Sequence, residues 1–181
     1  MKKPLWMIAS AAVLILLGTY LIANTAGRDK AEQAEGTDVR KLVEDISTGR
    51  EKPQSASISA TTLTVTETGN KETTYTLPEN EFFLSIAPYV QQTHPCEIHS
   101  LTGCQGEMVN EEFMVTIHDS EGNTLFMKDE VLKSGANGFM DLWVPRDRTY
   151  LIRIVQDGKV AEKQLSTYPD DQTCITTMQL M

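Results

Sequence analysis

The sequence lacks the short motifs by which many catalytic sites are recognised. Its 181 residues include three cysteines, and no two of them form a C-x-x-C pair, so thioredoxin-like catalysis finds no support. There is no G-x-S-x-G turn and no H-E-x-x-H helix, which removes the hydrolase classes that carry those signatures. A glycine-rich phosphate loop is also missing. A thiol oxidoreductase acting on proteins therefore ranks lowest among the functions considered.

Positive charge is scarce. The chain holds 16 Lys and Arg against 25 Asp and Glu, for a formal net charge of −9 at pH 7. Residues 1–27 contain no acid, and their only charges are Lys2 and Lys3, so the rest of the chain is strongly negative. Nucleic acid binding requires clustered Lys and Arg. We therefore expect no nucleic-acid partner, and a surface that mildly attracts cations.

An uncharged apolar run, "PLWMIASAAVLILLGTYLIA", follows the two lysines. About 20 apolar residues span a bilayer as a helix, whereas the core of a cleaved signal peptide has about 7–15. We predict that residues 1–27 form a membrane-spanning signal anchor with a cytoplasmic amino terminus. Cleavage as a signal peptide after Ala26 is the alternative. Either way, residues 28–181 are expected to be extracytoplasmic, in the periplasm or at the outer face of the membrane.

Residues 28–55 are predicted to be a linker that contains one short amphipathic helix. The segment "TDVRKLVEDISTG" places apolar residues at helical spacing, namely Val39, Leu42, Val43 and Ile46. Thr37 or Asp38 can cap the start of this helix, and Gly49 suits its end.

Residues 56–181 are predicted to form a β-rich domain. In "EEFMVTIHD", Phe113, Val115 and Ile117 alternate with residues on the other face. Similar short segments recur, joined by Gly, Asn and Asp turns, and "CITTMQL" closes the series. This pattern is typical of an antiparallel β-sandwich or a barrel-like domain. The expected fold class is thus mainly β, preceded by the short helix and the N-terminal membrane-spanning or signal helix.

The stretch "THPCEIHSLTGCQGE" holds Cys96 and Cys104 together with His94 and His99. Its proline and glycines predict a loop, which can bring the two sulfurs close to each other or to one ion. Cys174 lies far along the chain, at the start of the last predicted strand. A sandwich can bring it alongside the loop.

Thiolates are soft ligands that select Cu(I), zinc or iron–sulfur clusters. Structural zinc usually takes four ligands from paired cysteine knuckles, which are absent here. Three sulfurs, or two sulfurs and an imidazole, suit low-coordinate Cu(I). The candidate ligands are the three cysteines and the three histidines: Cys96, Cys104, Cys174, His94, His99 and His118.

A purely structural role fits the same spacing. Cys96 and Cys104 could form a disulfide within one loop, leaving Cys174 as a buried free thiol. His118 would then be an ordinary solvent-facing residue of its strand. On this alternative, the protein is a membrane-tethered β-sandwich module that binds protein partners.

Three segments together resemble the CueP family of extracytoplasmic copper-binding proteins. They are "LPENEFFLSIAPYVQQTHPCEIHSLTGCQGEM", "NGFMDLWVPRDR" and "TCITTMQL", in that order. The helix at 38–48 matches more loosely. The resemblance implies that the family's three cysteines correspond to Cys96, Cys104 and Cys174, and that they bind copper with nearby histidines. It also implies roles in copper resistance, in delivery to exported enzymes such as superoxide dismutase, and in converting Cu(II) to Cu(I).

Reduction of copper by the protein's own thiols has a chemical consequence. Two thiols can reduce two Cu(II) ions while closing one disulfide. If Cys96 and Cys104 oxidise together, Cys174 and the histidines remain to hold the ion. An extracytoplasmic thiol reductase is then expected to reset the site through a mixed disulfide. Only with such a partner would the reaction turn over as an enzyme's does.

Overall fold

The computed structural model describes residues 32–33, 36–120 and 124–181. The predicted signal or anchor at residues 1–27 lies outside them. Residues Gln33–Met181 form one compact unit. A two-residue strand, β1 (Glu32–Gln33), lies at its start in the sequence, and every other described element belongs to this unit. Within the described residues, no helix has both the length and the apolar character needed to cross a bilayer.

The single helix of the described residues, α1 (Val39–Ser47), confirms the short helix predicted from apolar spacing. The Asp38 carboxylate caps it by accepting a hydrogen bond from the backbone N–H of Lys41 at 3.1 Å. Gly49 follows its end with φ of 73°, a conformation that glycine adopts without steric cost. Val43 and Ile46 are buried on the inner face of the helix.

Eleven further strands follow in chain order. They are β2 (Ser55–Ile58), β3 (Thr62–Thr66), β4 (Glu72–Thr76), β5 (Glu81–Ile86), β6 (His99–Ser100), β7 (Glu112–Asp119), β8 (Thr124–Lys133), β9 (Met140–Pro145), β10 (Thr149–Gln156), β11 (Lys159–Ser166) and β12 (Cys174–Ile175). One sheet has the order β4-β3-β2-β6, a second β11-β10-β7-β8, and a third β12-β5-β9. The fold is mainly β with antiparallel sheets, as predicted, and the described strands do not close into a barrel.

Strand β5 is buried on both faces and separates two apolar cores. Phe82, Leu84 and Ile86 pack against the buried faces of β7 and β10. Phe83 points the other way, into a core formed with α1, β2 and β3. Each such side chain contributes about 1.5–3 kcal/mol through removal of apolar surface from water. Because both of its faces are buried, β5 shows no alternation of apolar and polar residues. In β7 the alternation is present, and Phe113 and the other residues predicted to face inward are buried.

The last strand departs from the antiparallel pattern. β12 runs parallel to β5, with Cys174 opposite Ser85. The backbone N–H of Ser85 donates to the carbonyl of Thr173 at 2.8 Å. The predicted strand "CITTMQL" is regular only over Cys174–Ile175. This pairing fixes Cys174 beside β5, close to where the cysteine-bearing loop begins.

Candidate metal centre

The loop that carries the first two cysteines folds back on itself. It leaves β5, passes through the two residues of β6, which pairs with β2 through Ser100 and Ser57, and continues to Cys104. The backbone N–H of Cys104 then donates to the carbonyl of Ser100 at 3.1 Å, and the N–H of Ser100 donates to the Cys104 Sγ at 3.4 Å. As a result, the Sγ atoms of Cys96 and Cys104 lie 3.5 Å apart.

The third sulfur reaches the same place from the end of the fold. The carbonyl of Glu97 accepts hydrogen bonds from the N–H groups of Thr173 at 3.0 Å and Cys174 at 3.2 Å. Cys174 forms a disulfide with Cys96 across 78 residues, with a Cα–Cα distance of 5.6 Å. Cys104 is a free, half-buried thiol. All three sulfurs therefore meet in one cluster.

The disulfide between Cys96 and Cys104, on which the structural alternative rested, is wrong. Cys96 is bonded to Cys174, because the pairing of β12 with β5 brings that residue against the loop. Cys174 is buried, as that alternative expected, but it is not the free thiol. The free thiol is instead Cys104, which is more accessible than Cys174. A purely structural disulfide does not require an accessible free thiol beside it.

Two histidines join the sulfurs. The possible ligand atoms of His94, Cys96 and Cys104 all lie within 4.8 Å of one another, and so do those of His99, Cys104 and Cys174. Cys104 is common to both groups. We call these five residues the sulfur–imidazole cluster.

His118 lies outside the cluster. It is a half-buried residue of β7, where its cross-strand neighbours are Leu125 on β8 and Leu151 on β10. The described residues therefore bring His94 and His99 to the sulfurs, and not the third histidine.

His99 is enclosed on all sides. Its ring lies against Phe139 at a centroid distance of 4.6 Å, with the two ring planes tilted by 53°, and its Nε2 lies 3.2 Å from the Ser85 Oγ. Burial lowers the pKa of His99 to about 4; Asp141 acts in the opposite direction, and His94 lowers it further. The ring is therefore neutral at pH 7, as a metal ligand must be. Its Nδ1 is buried and has no hydrogen-bond partner among the described residues.

Sequence reasoning missed Ser85 and Asp141, the residues that connect to His99. They are cross-strand partners on β5 and β9, and the Ser85 hydroxyl donates to the Asp141 carboxylate at 2.6 Å. One signal was available: Ser85 interrupts the apolar run "FFLSIA", and a serine in a strand buried on both faces needs a polar partner.

A carboxylate braces the approach to the cluster. Glu107 accepts backbone hydrogen bonds from Gln92 at 3.1 Å, Gln91 at 2.9 Å and Val90 at 2.8 Å. These hydrogen bonds lower the pKa of Glu107, and the bond from Gln92 has the largest effect. The brace ties the segment just before His94 to the segment just after Cys104.

A glycine contact fixes the other side of the loop. The backbone N–H of Gly106 donates to the carbonyl of Asn137 at 2.7 Å. A Cβ added at Gly106 would lie 2.7 Å from the Gly138 carbonyl oxygen, which is too close for any side chain. The cysteine loop thus packs backbone to backbone against the turn that leads to Phe139.

Comparison with known proteins identifies the family. The family model of the periplasmic copper-binding protein CueP matches residues 38–179, most of the chain. The chain belongs to the CueP family. It is 34% identical to S.CueP, whose crystal structure superposes with a TM-score of 0.72 and covers 90% of this chain and 96% of that one. A search of curated proteins gave no significant match. The predicted CueP resemblance is confirmed, and the family is one of periplasmic copper-binding proteins.

Proposed function

We propose that this CueP family member binds Cu(I) in the periplasm through the reduced thiolates of Cys96, Cys104 and Cys174, with His94 or His99 completing the ligand set. The observation that supports this most is the convergence of three sulfurs and two imidazoles from distant parts of the chain. Such soft donors suit Cu(I) better than hard cations. The buried Nδ1 of His99, which has no hydrogen-bond partner among the described residues, is a further candidate ligand atom. Because thiolates are the ligands, affinity for copper should fall as pH drops.

The disulfide suggests how Cu(II) is handled. Two Cu(II) ions each take one electron from the thiols of Cys96 and Cys174, the sulfurs join, and two protons are released with two Cu(I) ions. The Cys104 thiol and the two imidazoles remain beside the ion. Oxidation of Cys96 with Cys104, the alternative pairing considered from the sequence, would instead leave the most buried sulfur, that of Cys174, to hold the ion.

Resetting the cluster requires an outside source of electrons. We propose an extracytoplasmic thiol reductase whose thiolate attacks the sulfur of Cys96, because Cys96 is half-buried whereas Cys174 is only 1% exposed. Exchange through a mixed disulfide then frees both cysteines. The reduced protein would pass Cu(I) to a copper-requiring exported client and so serve copper delivery and resistance. Reduction becomes turnover only with this partner.

We further propose that residues 1–27 act as a signal for export that either anchors the mature protein to the outer face of the cytoplasmic membrane or is removed. The apolar run supports export. The intact mass of the protein purified from cells separates the two outcomes, since cleavage after Ala26 removes the whole run.

Copper-edge X-ray absorption on the fully reduced protein tests the ligand set. We expect two or three sulfur neighbours and at least one nitrogen neighbour per Cu(I). The matched control is the variant with all three cysteines replaced by serine, titrated with Cu(I) against a chromophoric chelator. If that variant still binds Cu(I) stoichiometrically, the cysteines are not the ligands and the proposal fails.

A further inference from the structure

A hydrogen-bonded chain runs from the buried His99 to the protein surface. The His99 Nε2 lies 3.2 Å from the Ser85 Oγ, and the Ser85 Oγ lies 2.6 Å from the Asp141 Oδ1. His99 and Ser85 are fully buried, whereas Asp141 is exposed. The three residues come from β6, β5 and β9, so the fold assembles the chain and no local sequence motif does.

The donors and acceptors in these two hydrogen bonds determine which atom carries each proton. A serine hydroxyl has one proton to donate and can also accept, and the Ser85 hydroxyl donates to the Asp141 Oδ1. The Ser85 proton must therefore point to Asp141. The Ser85 oxygen is then the acceptor in its contact with His99, which places the imidazole proton on Nε2.

The other ring nitrogen, Nδ1, consequently carries no proton and has a free lone pair. Nδ1 is buried and has no hydrogen-bond partner in the described part of the chain. Leaving a buried acceptor unpaired costs free energy unless it has another use. His99 belongs to the group whose ligand atoms lie within 4.8 Å of one another, with Cys104 and Cys174. Since Nε2 is occupied by Ser85, Nδ1 is the nitrogen left to bind an ion there.

We propose that Ser85 and Asp141 are positioning residues that hold His99 as the Nε2–H tautomer, so that Nδ1 presents its lone pair to copper beside Cys104 and Cys174. This rests on the proposed copper-binding function. Histidine ligands in metal sites commonly donate their second ring N–H to a carboxylate or another acceptor, which fixes the ring and raises its basicity as a ligand. Here a serine carries that interaction to the carboxylate.

The first measurement is which ring nitrogen of His99 carries the proton. If Ser85 only stabilised the fold, it would not determine this tautomer. Long-range ¹H–¹⁵N correlation spectra of the histidine rings are recorded on the full chain, reduced and copper-free. We expect His99 to show a protonated Nε2 and an unprotonated Nδ1. D141N should shift the ring toward the Nδ1–H tautomer, because the new amide can donate to Ser85 and leave its hydroxyl proton for Nε2. E130Q, which removes an exposed carboxylate of β8, should leave the tautomer unchanged.

Cu(I) affinity is the second readout. S85A and D141N should each weaken binding by about 10- to 100-fold. S134A removes another buried serine hydroxyl, one that donates to the Met108 carbonyl and makes no hydrogen bond to a cluster residue, and it should stay within about twofold of the parent. Because Asp141 is exposed, D141N should remain folded even if S85A does not.

The outcomes separate this inference from the proposed function. If the parent chain binds Cu(I) through sulfur but His99 carries its proton on Nδ1, the positioning role is wrong and the copper site stands. The positioning role is equally wrong if D141N changes neither the tautomer nor the affinity. If the parent chain binds no Cu(I), the proposed function itself fails.

Discussion

The Sγ of Cys104 lies 3.5 Å from the Sγ of Cys96, although Cys96 is already bonded to Cys174. A thiolate beside a disulfide can attack it, and attack by Cys104 on Cys96 would form the Cys96–Cys104 bond and release Cys174 as a thiolate. No electrons enter or leave in this step. The geometry therefore allows two disulfide pairings to exchange without an outside reagent.

Removing the buried cysteine should reveal the second pairing. In C174S, we expect oxidation to close Cys96 and Cys104 into a disulfide, because their sulfurs are already in contact. Mass spectrometry of a non-reduced digest identifies the linked peptides. In the matched variant C104S, the bond between Cys96 and Cys174 should persist. Intermolecular dimers of C174S, instead of the internal bond, would contradict this interpretation.

Cys104 should be the single most important ligand, because it belongs to both groups of the sulfur–imidazole cluster. We expect C104S to weaken Cu(I) binding by at least about tenfold, or ~1.4 kcal/mol. Competition with a chromophoric Cu(I) chelator measures the loss. H118A is the control and should change affinity by less than about twofold, since a half-exposed site on β7 is independent of the cluster. An equal loss in both variants would mean that the ligands are assigned wrongly.

The buried imidazole should make the copper-free protein less stable in mild acid. The unfolded chain binds a proton at His99 below about pH 6.5, whereas burial lowers the pKa of His99 in the folded protein to about 4. The contribution of neutral His99 is thus fully present above pH 6.5 and is lost as pH falls toward 4. The free energy of unfolding should drop by on the order of 3 kcal/mol over that interval.

Urea unfolding of the disulfide-bonded protein at several pH values measures this dependence. The variant H99Q provides the comparison, because every carboxylate that also titrates in this range is common to both proteins. The difference in stability between the two should shrink as pH falls from 6.5 to 4. Parallel pH profiles would show that His99 is not the group responsible.

Gly106 should tolerate no side chain. A methyl group there meets the Gly138 carbonyl at 2.7 Å, so G106A must push the cysteine loop away from its neighbour. We expect a loss of about 1–3 kcal/mol in stability together with weaker Cu(I) binding. At Gly103, in the same loop, the nearest atom is the Ser100 Oγ at 3.0 Å, a side-chain end that can rotate away. G103A should therefore be mild, as thermal unfolding and chelator competition can show; similar losses in both variants would contradict the backbone contact as the cause.

Much of the fold follows from local pattern. The apolar spacing and a cap at Thr37 or Asp38 predict α1, and alternation predicts which face of β7 is buried, because both depend on residues near in sequence. β5 is harder to interpret, since it lies between two cores and both its faces are apolar. The parallel pairing of β12 is likewise invisible in the sequence, because it depends on where the chain returns after β11.

The candidate site likewise has some features that local sequence predicts and others that depend on contacts between distant residues. The loop and its two sulfurs follow from one short stretch of sequence. The bond between Cys96 and Cys174 does not, because spacing along the chain says nothing about a partner 78 residues away. The link from Ser85 to Asp141 joins residues 56 apart on two strands. Such contacts become visible only when the register of the sheet is known.

The late position of β12 has a consequence for biogenesis. With the export proposed above, a nascent chain emerging from its N-terminus would expose Cys96 and Cys104 while Cys174 is still unsynthesised or in transit, because β7 to β11 lie between them. An oxidant acting at that stage would find only the first two thiols and would join them. The linkage between Cys96 and Cys174 would then have to arise by rearrangement, and the yield of competent protein would depend on the order of translocation and oxidation.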